Sequence, residues 1–292
     1  MSVQAPPYES LGRPIHGPGA LTGDWRRFWH LTFNIAVLNW KVRFYGSALG
    51  YVWQLVRPLL LFLVLYVFFT KIAHIGAGAG PSYDYYGVQL LSSIVLFTFF
   101  SEATMGSVRS VVGNESLVRK IQFPRMAIPL SVVLLAFFNL CLNLIVVTIF
   151  ALAAGVRPML TWLEVPLIVG LLVVLSAGLA MLLSSLFVYL RDVEPIWEVL
   201  CQIIFYASPV IIPVTVVLAQ LGTTWTRVYM LNPMAVVFQQ FRHAFITHST
   251  PSAGALLGSM AAIAVPVGIV LAIFAIGYWV FNRMAPHVAE DL

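Results

Sequence analysis

The sequence predicts an all-α protein that crosses a membrane several times. Of the 292 residues, 60% are hydrophobic and 9% are charged, and the mean hydropathy is +0.92. A soluble domain carries about 25% charged residues, so this chain lacks the polar surface that water requires. Its apolar runs are also long enough to span, because about 20 helical residues cross the ~30 Å hydrocarbon core.

Two segments at the start of the chain are expected to stay outside the hydrocarbon core. Residues 1–24 are polar, rich in Pro and Gly, and without the apolar core of a signal peptide, so a flexible cytoplasmic tail is predicted. Residues 25–47 are predicted to form an amphipathic helix in the headgroup plane, with aromatic residues opposite a stripe that includes Arg27. A further span over 31–44 is the alternative, although Asn34 and Lys41 would be costly at the bilayer centre.

Six membrane spans are predicted, forming one transmembrane unit over residues 48–283 that is followed by a cytoplasmic tail at 284–292. They cover residues 49–72, 86–108, 126–154, 164–189, 195–219 and 256–281. In the first span, Pro58 is suited to the start of a helix, and Arg57 can extend its guanidinium to the cytoplasmic surface.

The outer part of the fifth span is expected to be irregular. Pro209 and Pro213 should break the helix there, and backbone groups freed at that depth must be covered by protein or water. The following stretch, 225–247, is too polar and too interrupted to span. We therefore expect short re-entrant or interfacial helices on the external side.

The basic residues orient these spans. With both termini in the cytoplasm, twelve of the sixteen Lys and Arg residues lie on the cytoplasmic side. Membrane proteins carry this excess of positive charge in their cytoplasmic loops, so a multi-pass protein with both termini in the cytoplasm is predicted. The same rule, together with anionic lipids, accounts for the net charge of +5, and nucleic acid is not expected as a partner.

A short charged segment, GNESLVRKIQFPRM (113–126), lies between the second and third spans. Asn114 is a suitable N-cap, Glu115 complements the positive start of a helix, and Pro124 ends it. Leu117, Val118 and Ile121 share one face. A two-turn helix over 114–123 with one apolar face is therefore predicted.

Four stretches resemble one family in the order in which that family has them. They are VRFYGSALGYVWQLVRPLL (42–60), GNESLVRKIQFPR (113–125), FVYLRDVEPIW (187–197), and SPVIIP (208–213) followed by LNPMAVVFQQFRHAF (231–245). The family is that of the ABC-2-type transporter permeases, also called type V exporters. Within it, the chain is most similar to the permeases that export polysaccharides (O-antigen, teichoic acid or galactan) on lipid carriers.

The resemblance implies a transport subunit without its own nucleotide site. The 114–123 helix would be a coupling helix seated in a separate ATPase, with contacts from Asn114, Glu115, Leu117, Val118, Arg119, Lys120, Ile121 and Phe123. No G-x-x-x-x-G-K-[ST] motif occurs in this chain, so ATP and Mg would be bound by the partner and no cofactor by this chain. A homodimer with two ATPase subunits is implied, with residues 209–247 as the external gate.

Cations near the first span are candidates for binding the substrate. Lys41, Arg43 and Arg57 flank the turn FYGSALG, where the phosphates of a polyprenyl-pyrophosphate-linked glycan would arrive from the cytoplasm. The alternative is that they only anchor the chain to the cytoplasmic membrane surface.

Further candidates lie within the spans. Glu102 either forms a salt bridge with Arg57 or Arg109 or contacts sugar or a gate, since a charge inside a membrane is normally paired. Sugar rings stack on aromatic rings, so an aromatic conduit is one interpretation and ordinary packing the other. The candidate channel and gate residues are Glu102, Tyr66, Phe97, Phe100, Pro209 and Pro213.

Three other functions remain open. An ABC-2 exporter of a drug or lipid would carry the same motifs. A membrane-embedded enzyme acting on polyprenyl-phosphate carriers would need paired acidic residues, for which only Asp192 and Glu194 are near candidates, and a turn or ion pair explains these equally well. An ion-gradient transporter would need more intramembrane charges and an internal repeat. No metal-ligand spacing such as H-E-x-x-H occurs.

Overall fold

The described part of the protein is helical throughout and contains no β-strand. The computed structural model describes residues 25–44, 50–72, 85–115, 124–247 and 250–284. The helices are α1 Trp25–Phe44, α2 Gly50–Val67, α3 Tyr86–Val108, α4 Ser110–Gly113, α5 Ala127–Ala153, α6 Val165–Tyr189, α7 Val193–Ala207, α8 Val214–Tyr229, α9 Pro233–Phe245, α10 Ala253–Leu257 and α11 Ala264–Met284. A π-helical segment, Phe68–Ile72, extends α2, and 3₁₀ turns at Leu160–Glu164 and Met260–Ile263 precede α6 and α11. The all-α fold is confirmed.

Five helices in the described ranges are long and apolar enough to cross a membrane. They are Val52–Ile72, Tyr86–Val108, Ala127–Ala153, Leu160–Tyr189 and Met260–Met284, and they match five of the six predicted spans. The sixth predicted span, 195–219, does not meet this criterion, because the structure divides it between α7 and α8 at the predicted proline break. The 15 residues of α7 rise only ~22 Å, which is short of the ~30 Å hydrocarbon core.

Two proline predictions had different outcomes. The break at Pro209 and Pro213 is confirmed, since α7 ends at Ala207 and α8 begins at Val214. Pro58, in contrast, does not start a helix: α2 begins at Gly50 and continues through it. Membrane helices tolerate such interior prolines because neighbouring groups satisfy the backbone carbonyl that Pro frees.

The centre of the bundle is α3. Of its most apolar stretch, 78% is buried, compared with 11% for α2 and 17% for α11. It packs against α2, α5, α6 and α7, and its external half also contacts α9. Because α3 contacts these five helices, its polar side chains can form hydrogen bonds with residues of several other helices.

The helices α6 and α11 cross in close backbone contact. A Cβ atom added at Gly277 would lie 2.1 Å from the carbonyl oxygen of Gly178, and one added at Gly178 would lie 2.6 Å from the Cα of Phe274. Small residues allow such close approach of two backbones in membranes, where packing rather than hydrophobicity drives helix association.

The amino-terminal helix α1 packs along α5. It is a single 20-residue helix and does not belong to the five that are long and apolar enough to span. Phe28, Thr32 and Ala36 are buried, whereas Trp25 and Trp29 of the predicted apolar face remain exposed. The buried face of α1 is therefore narrower than the aromatic face that the sequence predicts. The location of α1 in the headgroup plane stays a prediction.

Candidate transport pathway and gate

A carboxylate in α3 accepts hydrogen bonds from two other spans. Gln54 of α2 donates to Glu102 through its Nε2, 2.8 Å from Oε1, and Asn139 of α5 donates through its Nδ2, 3.1 Å from Oε2. The two amide side chains are 7% and 2% exposed, and Glu102 is half-buried. The predicted salt bridge was wrong: in the described part of the chain, neither Arg57 nor Arg109 bonds to Glu102, and Arg109 pairs with Glu194 instead.

This Gln54–Glu102–Asn139 cluster fixes three spans at one point. Both carboxylate oxygens accept an N–H, and each keeps a further lone pair for another donor such as a hydroxyl group. The cluster is thus suited either to hold the bundle together or to contact a polyhydroxylated substrate.

The three candidate aromatic residues occupy different environments. Phe100 is 1% exposed and packs near Trp197 of α7, with ring centroids 6.3 Å apart. Phe97 is half-buried and meets Phe205 of α7 edge-on at 4.9 Å. Tyr66 has an exposed ring that stacks on a neighbouring Phe. In this conformation Phe100 is therefore part of the α3–α7 packing, and the conduit role stays a prediction for Tyr66 and Phe97.

A polar stripe on α7 was missed by the sequence analysis. Glu198, Gln202 and Tyr206 follow each other at intervals of four residues, and all three are exposed, Tyr206 by 76%. Residues four apart lie on one face of a helix. A carboxylate and an amide on an uncovered face are unsuited to lipid tails. This interval of four within the predicted fifth span was the signal that could have revealed the stripe.

The external segment contains a buried arginine that the sequence analysis counted only as an external charge. Arg242 of α9 is 2% exposed, and its Nη2 donates to Ser93 Oγ of α3 at 2.9 Å, to the carbonyl of Val210 at 3.0 Å, and to the carbonyl of Pro209. Burial lowers the pKa of Arg242 to about 10. Its Nε and Nη1 have no acceptor among the described residues. The Arg242 side chain therefore connects the residues between α7 and α8 to both α3 and α9.

Other contacts fix the same break against the bundle. Pro209 and Pro213 are buried, and the Tyr86 hydroxyl donates to the carbonyl of Ile211 at 3.0 Å. Next, α8 and α9 are joined by a short turn in which the Asn232 side chain accepts from the backbone N–H of Met234 at 3.0 Å, capping α9. This turn connects α8 to α9, and α9 packs against α3, α6 and α11.

The 3₁₀ turn before α6 also contacts α9, through two hydrogen bonds and one pair of stacked rings. Gln240 donates to Glu164 at 2.9 Å, and the indole N–H of Trp162 donates to the carbonyl of Phe245, also at 2.9 Å. The Trp162 and Phe245 rings stack with centroids 4.6 Å apart. Residues 209–247 thus form a structured unit.

Comparison with known proteins gives the family. The model of the ABC-2 type transporter family matches residues 31–246. The chain belongs to that family. Among curated proteins it is similar to two O-antigen export system permease proteins RfbA from Klebsiella pneumoniae, 27% and 26% identical over 253 residues, which are 86% of this chain and 91% of each relative. An RfbA from Myxococcus xanthus is 27% identical over 227 residues, 77% of this chain and 83% of that protein.

As an ABC-2 permease, the chain is a multi-pass transport subunit. Its predicted phosphate-binding cations, Lys41, Arg43 and Arg57, are all exposed, and they flank residues 45–49, which lie outside the described ranges. Exposure leaves them accessible to an anion from the cytoplasm, and their role stays a prediction.

Only the beginning of the predicted coupling helix is described. Residues 116–123, which include Leu117, Val118, Arg119, Lys120, Ile121 and Phe123, lie outside the described ranges. The Asn114 Nδ2 donates back to the carbonyl of Ser110 at 2.8 Å, so its amide closes α4. Arg125, just after the segment, is 5% exposed, and its Nε and Nη1 have no acceptor among the described residues.

An ion pair connects the start of this segment to α7. Arg109 Nε lies 2.5 Å from Glu194 Oε2, with the two side chains 72% and 27% exposed. Arg109 follows the last residue of α3, and Glu194 is in the first turn of α7. The pair engages one of the two acidic residues on which a carrier-lipid enzyme would have depended.

Proposed function

We propose that this permease is the membrane subunit of an ATP-driven exporter that moves a lipid-linked polysaccharide from the cytoplasm across the plasma membrane. The observation that carries the proposal is the Glu198–Gln202–Tyr206 stripe, which places hydrogen-bonding groups and an aromatic ring on an uncovered face within the transmembrane region. Sugars need both kinds of contact. The similarity to O-antigen permeases over 91% of their length supports the same class of cargo.

A homodimer would complete the conduit. Of the five candidate spans among the described residues, α2 is the least buried, and it exposes apolar side chains such as Trp53, Leu60 and Val64. A second copy placed against α2 and α7 would cover the apolar residues and turn the polar stripes toward a shared path. One copy has too few spans around α7 to surround a polymer.

Two ATPase subunits would drive this dimer from the cytoplasm. The chain has no phosphate-binding glycine-rich loop, so ATP and Mg would be bound by the partner. Movement of the 114–123 helix would reach α3 directly through the chain and α7 through the Arg109–Glu194 pair. Both termini would be cytoplasmic, on the same side as the ATPase.

The remaining candidate residues take successive places along the route. Lys41, Arg43 and Arg57 would bind the pyrophosphate of the carrier on the cytoplasmic side. Glu102 and Tyr66 would contact the glycan within the spans, and residues 209–247 would open and close the external end.

Co-purification tests the subunit arrangement. Tagged chain is isolated from native membranes, and co-purifying proteins are identified by mass spectrometry. We expect a protein with a Walker A motif, and we expect its loss when residues 115–121 are replaced by a Gly/Ser linker at unchanged expression. Replacement of residues 2–8 by the same linker is the control. Reproducible absence of an ATPase from the unmodified sample would contradict the exporter.

A depletion experiment tests the cargo. When the chain is depleted, we expect polyprenyl-linked glycan to accumulate inside the cell while surface glycan decreases. Unchanged glycan with increased drug sensitivity, or with altered lipid distribution, would instead favour the drug or lipid exporter.

A further inference from the structure

An apolar groove runs along the outside of the bundle, away from α7 and the external gate. It encloses about 690 Å³ between α1, α5, α6 and α11. Its lining is almost entirely apolar and includes Trp25, Phe137, Gly170, Met181 and Tyr278. We call it the α5–α6 groove.

The groove has a defined direction and depth. Its Met126 and Met181 end belongs to a cluster with Phe28 and Phe281, which lies on the side of the arginine-rich cytoplasmic termini. From Met126 to Phe137, the α5 side of the groove rises ~16 Å. One leaflet of the hydrocarbon core is ~15 Å thick. The part bordered by α5 therefore has the length of one lipid tail, and on α6 the lining continues from Met181 to Pro166, over ~22 Å.

Basic residues lie near lining residues of the groove in the sequence of α1 and α11. Arg26 and Arg27 lie within one turn of Trp25, and both are exposed. Arg283, also exposed, follows Tyr278 by little more than one turn of α11 and lies over the Trp279 ring, 5.4 Å from its centroid. Aromatic and basic residues together are typical of the headgroup level of a membrane. Arg26, Arg27 and Arg283 provide the cations, and Tyr278 provides a phenol, beside the apolar groove.

We infer that the α5–α6 groove binds an anionic phospholipid of the cytoplasmic leaflet. One acyl chain lies between α5 and α6, and the phosphate is bound by Arg26, Arg27 and Arg283. The lipid fills the space that α1, which packs directly on α5, leaves open toward α6 and α11. The length of the α5 side of the groove matches one acyl chain, and the basic residues favour an anionic headgroup. The inference does not depend on the exported cargo.

A variant that fills the groove tests the position of the acyl chain. A Cβ atom at Gly170 meets no described atom within 4 Å, so Gly170→Phe adds a ring to the groove lining from a position where the Cβ has open space. Gly268→Phe is the matched control, because the same is true there and Gly268 does not line the groove. The full-length chain is purified with its accompanying subunits, and native mass spectrometry measures bound phosphatidylglycerol. We expect Gly170→Phe to lose the lipid and Gly268→Phe to keep it. Equal retention by the two variants would overturn the inference.

A charge-neutralising variant tests the headgroup. Phosphatidylglycerol is compared with phosphatidylcholine of the same acyl chains, and we expect wild-type protein to retain the anionic lipid in preference. Each basic residue near an anionic headgroup contributes roughly fivefold in affinity, so Arg26→Gln, Arg27→Gln and Arg283→Gln together should weaken phosphatidylglycerol about 100-fold.

Two comparisons complete the headgroup test. The control removes the same charge at three exposed arginines away from the groove: Arg157, Arg191 and Arg227. It should leave lipid retention unchanged. Equal retention of the two phospholipids by wild-type protein would overturn the assignment, and so would displacement of phosphatidylglycerol by equimolar polyprenyl phosphate, which would make the carrier lipid the occupant. Because these readouts measure lipid binding, their failure would leave the export proposal intact.

Discussion

Replacement of Gly277 by Ala should destabilise the protein through the α6–α11 crossing. The added Cβ would lie 2.1 Å from the Gly178 carbonyl oxygen and 2.9 Å from its carbon, and both atoms belong to backbone, so a whole helix has to move. Overpacking costs about 1–3 kcal/mol, and a contact this short belongs at the upper end. The better helix propensity of Ala offsets about 1 kcal/mol. The net loss is about 2 kcal/mol.

The matched control for this variant is Gly268→Ala in the same helix. A Cβ there meets no described atom within 4 Å, so only the propensity gain of up to about 1 kcal/mol remains. The two variants should differ by about 3 kcal/mol, or roughly 6–12 °C in Tm for a chain of this size. Thermal unfolding in detergent, followed by tryptophan fluorescence, measures the difference. If Gly277→Ala unfolds at the temperature of Gly268→Ala, the crossing is looser than the structure shows.

Three further predictions concern the candidate pathway. Glu102→Ala leaves the buried amides of Gln54 and Asn139 without an acceptor and should lower the free energy of unfolding by about 3 kcal/mol. Glu102→Gln should lower it by about 1 kcal/mol, because one of the two amides can rotate to accept from the new side chain. Equal losses would contradict the hydrogen bonds between Glu102 and these amides. Arg109→Glu should reduce the ATPase activity of the partner while changing the free energy of unfolding by less than about 1 kcal/mol, and adding Glu194→Arg should restore that activity. If the double variant is not rescued, the Arg109–Glu194 pair does not take part in coupling. Ala at Glu198 and Gln202 should lower surface glycan at unchanged Tm, and unaltered export would show that this face lies outside the conduit.

The long spans could be predicted from sequence because their signal is local. Length and apolar composition alone mark α3, α5, α6 and α11, and bilayer thickness sets the same requirement for each. The same criterion failed for α7. The apolar run continues through Ser208–Pro213, so a hydropathy profile registers no interruption where the backbone leaves the helix.

Polar partners could not be predicted, because they depend on which helices are neighbours. Gln54 and Asn139 lie 48 and 37 residues from Glu102, and Ser93 lies 149 residues from Arg242. An opposite charge nearby in sequence was the natural expectation for Glu102. The structure instead uses amides from other spans, which satisfy a carboxylate without a second buried charge to desolvate.

The polar contacts of α3 suggest how force would pass from one side of the membrane to the other. One end of α3 adjoins Arg109, its middle carries Glu102, and its other half carries Ser93, which accepts from Arg242. Ser93 and Arg109 are separated by 16 residues, or ~24 Å of continuous helix. We expect a continuous helix of this length to move as one unit. A displacement imposed next to the predicted coupling helix must therefore either carry the Arg242-bound segment with it or break that contact. We expect gate opening to follow the second route, because Pro209 and Val210 lie in the break between α7 and α8, where no helical hydrogen bonds have to be lost.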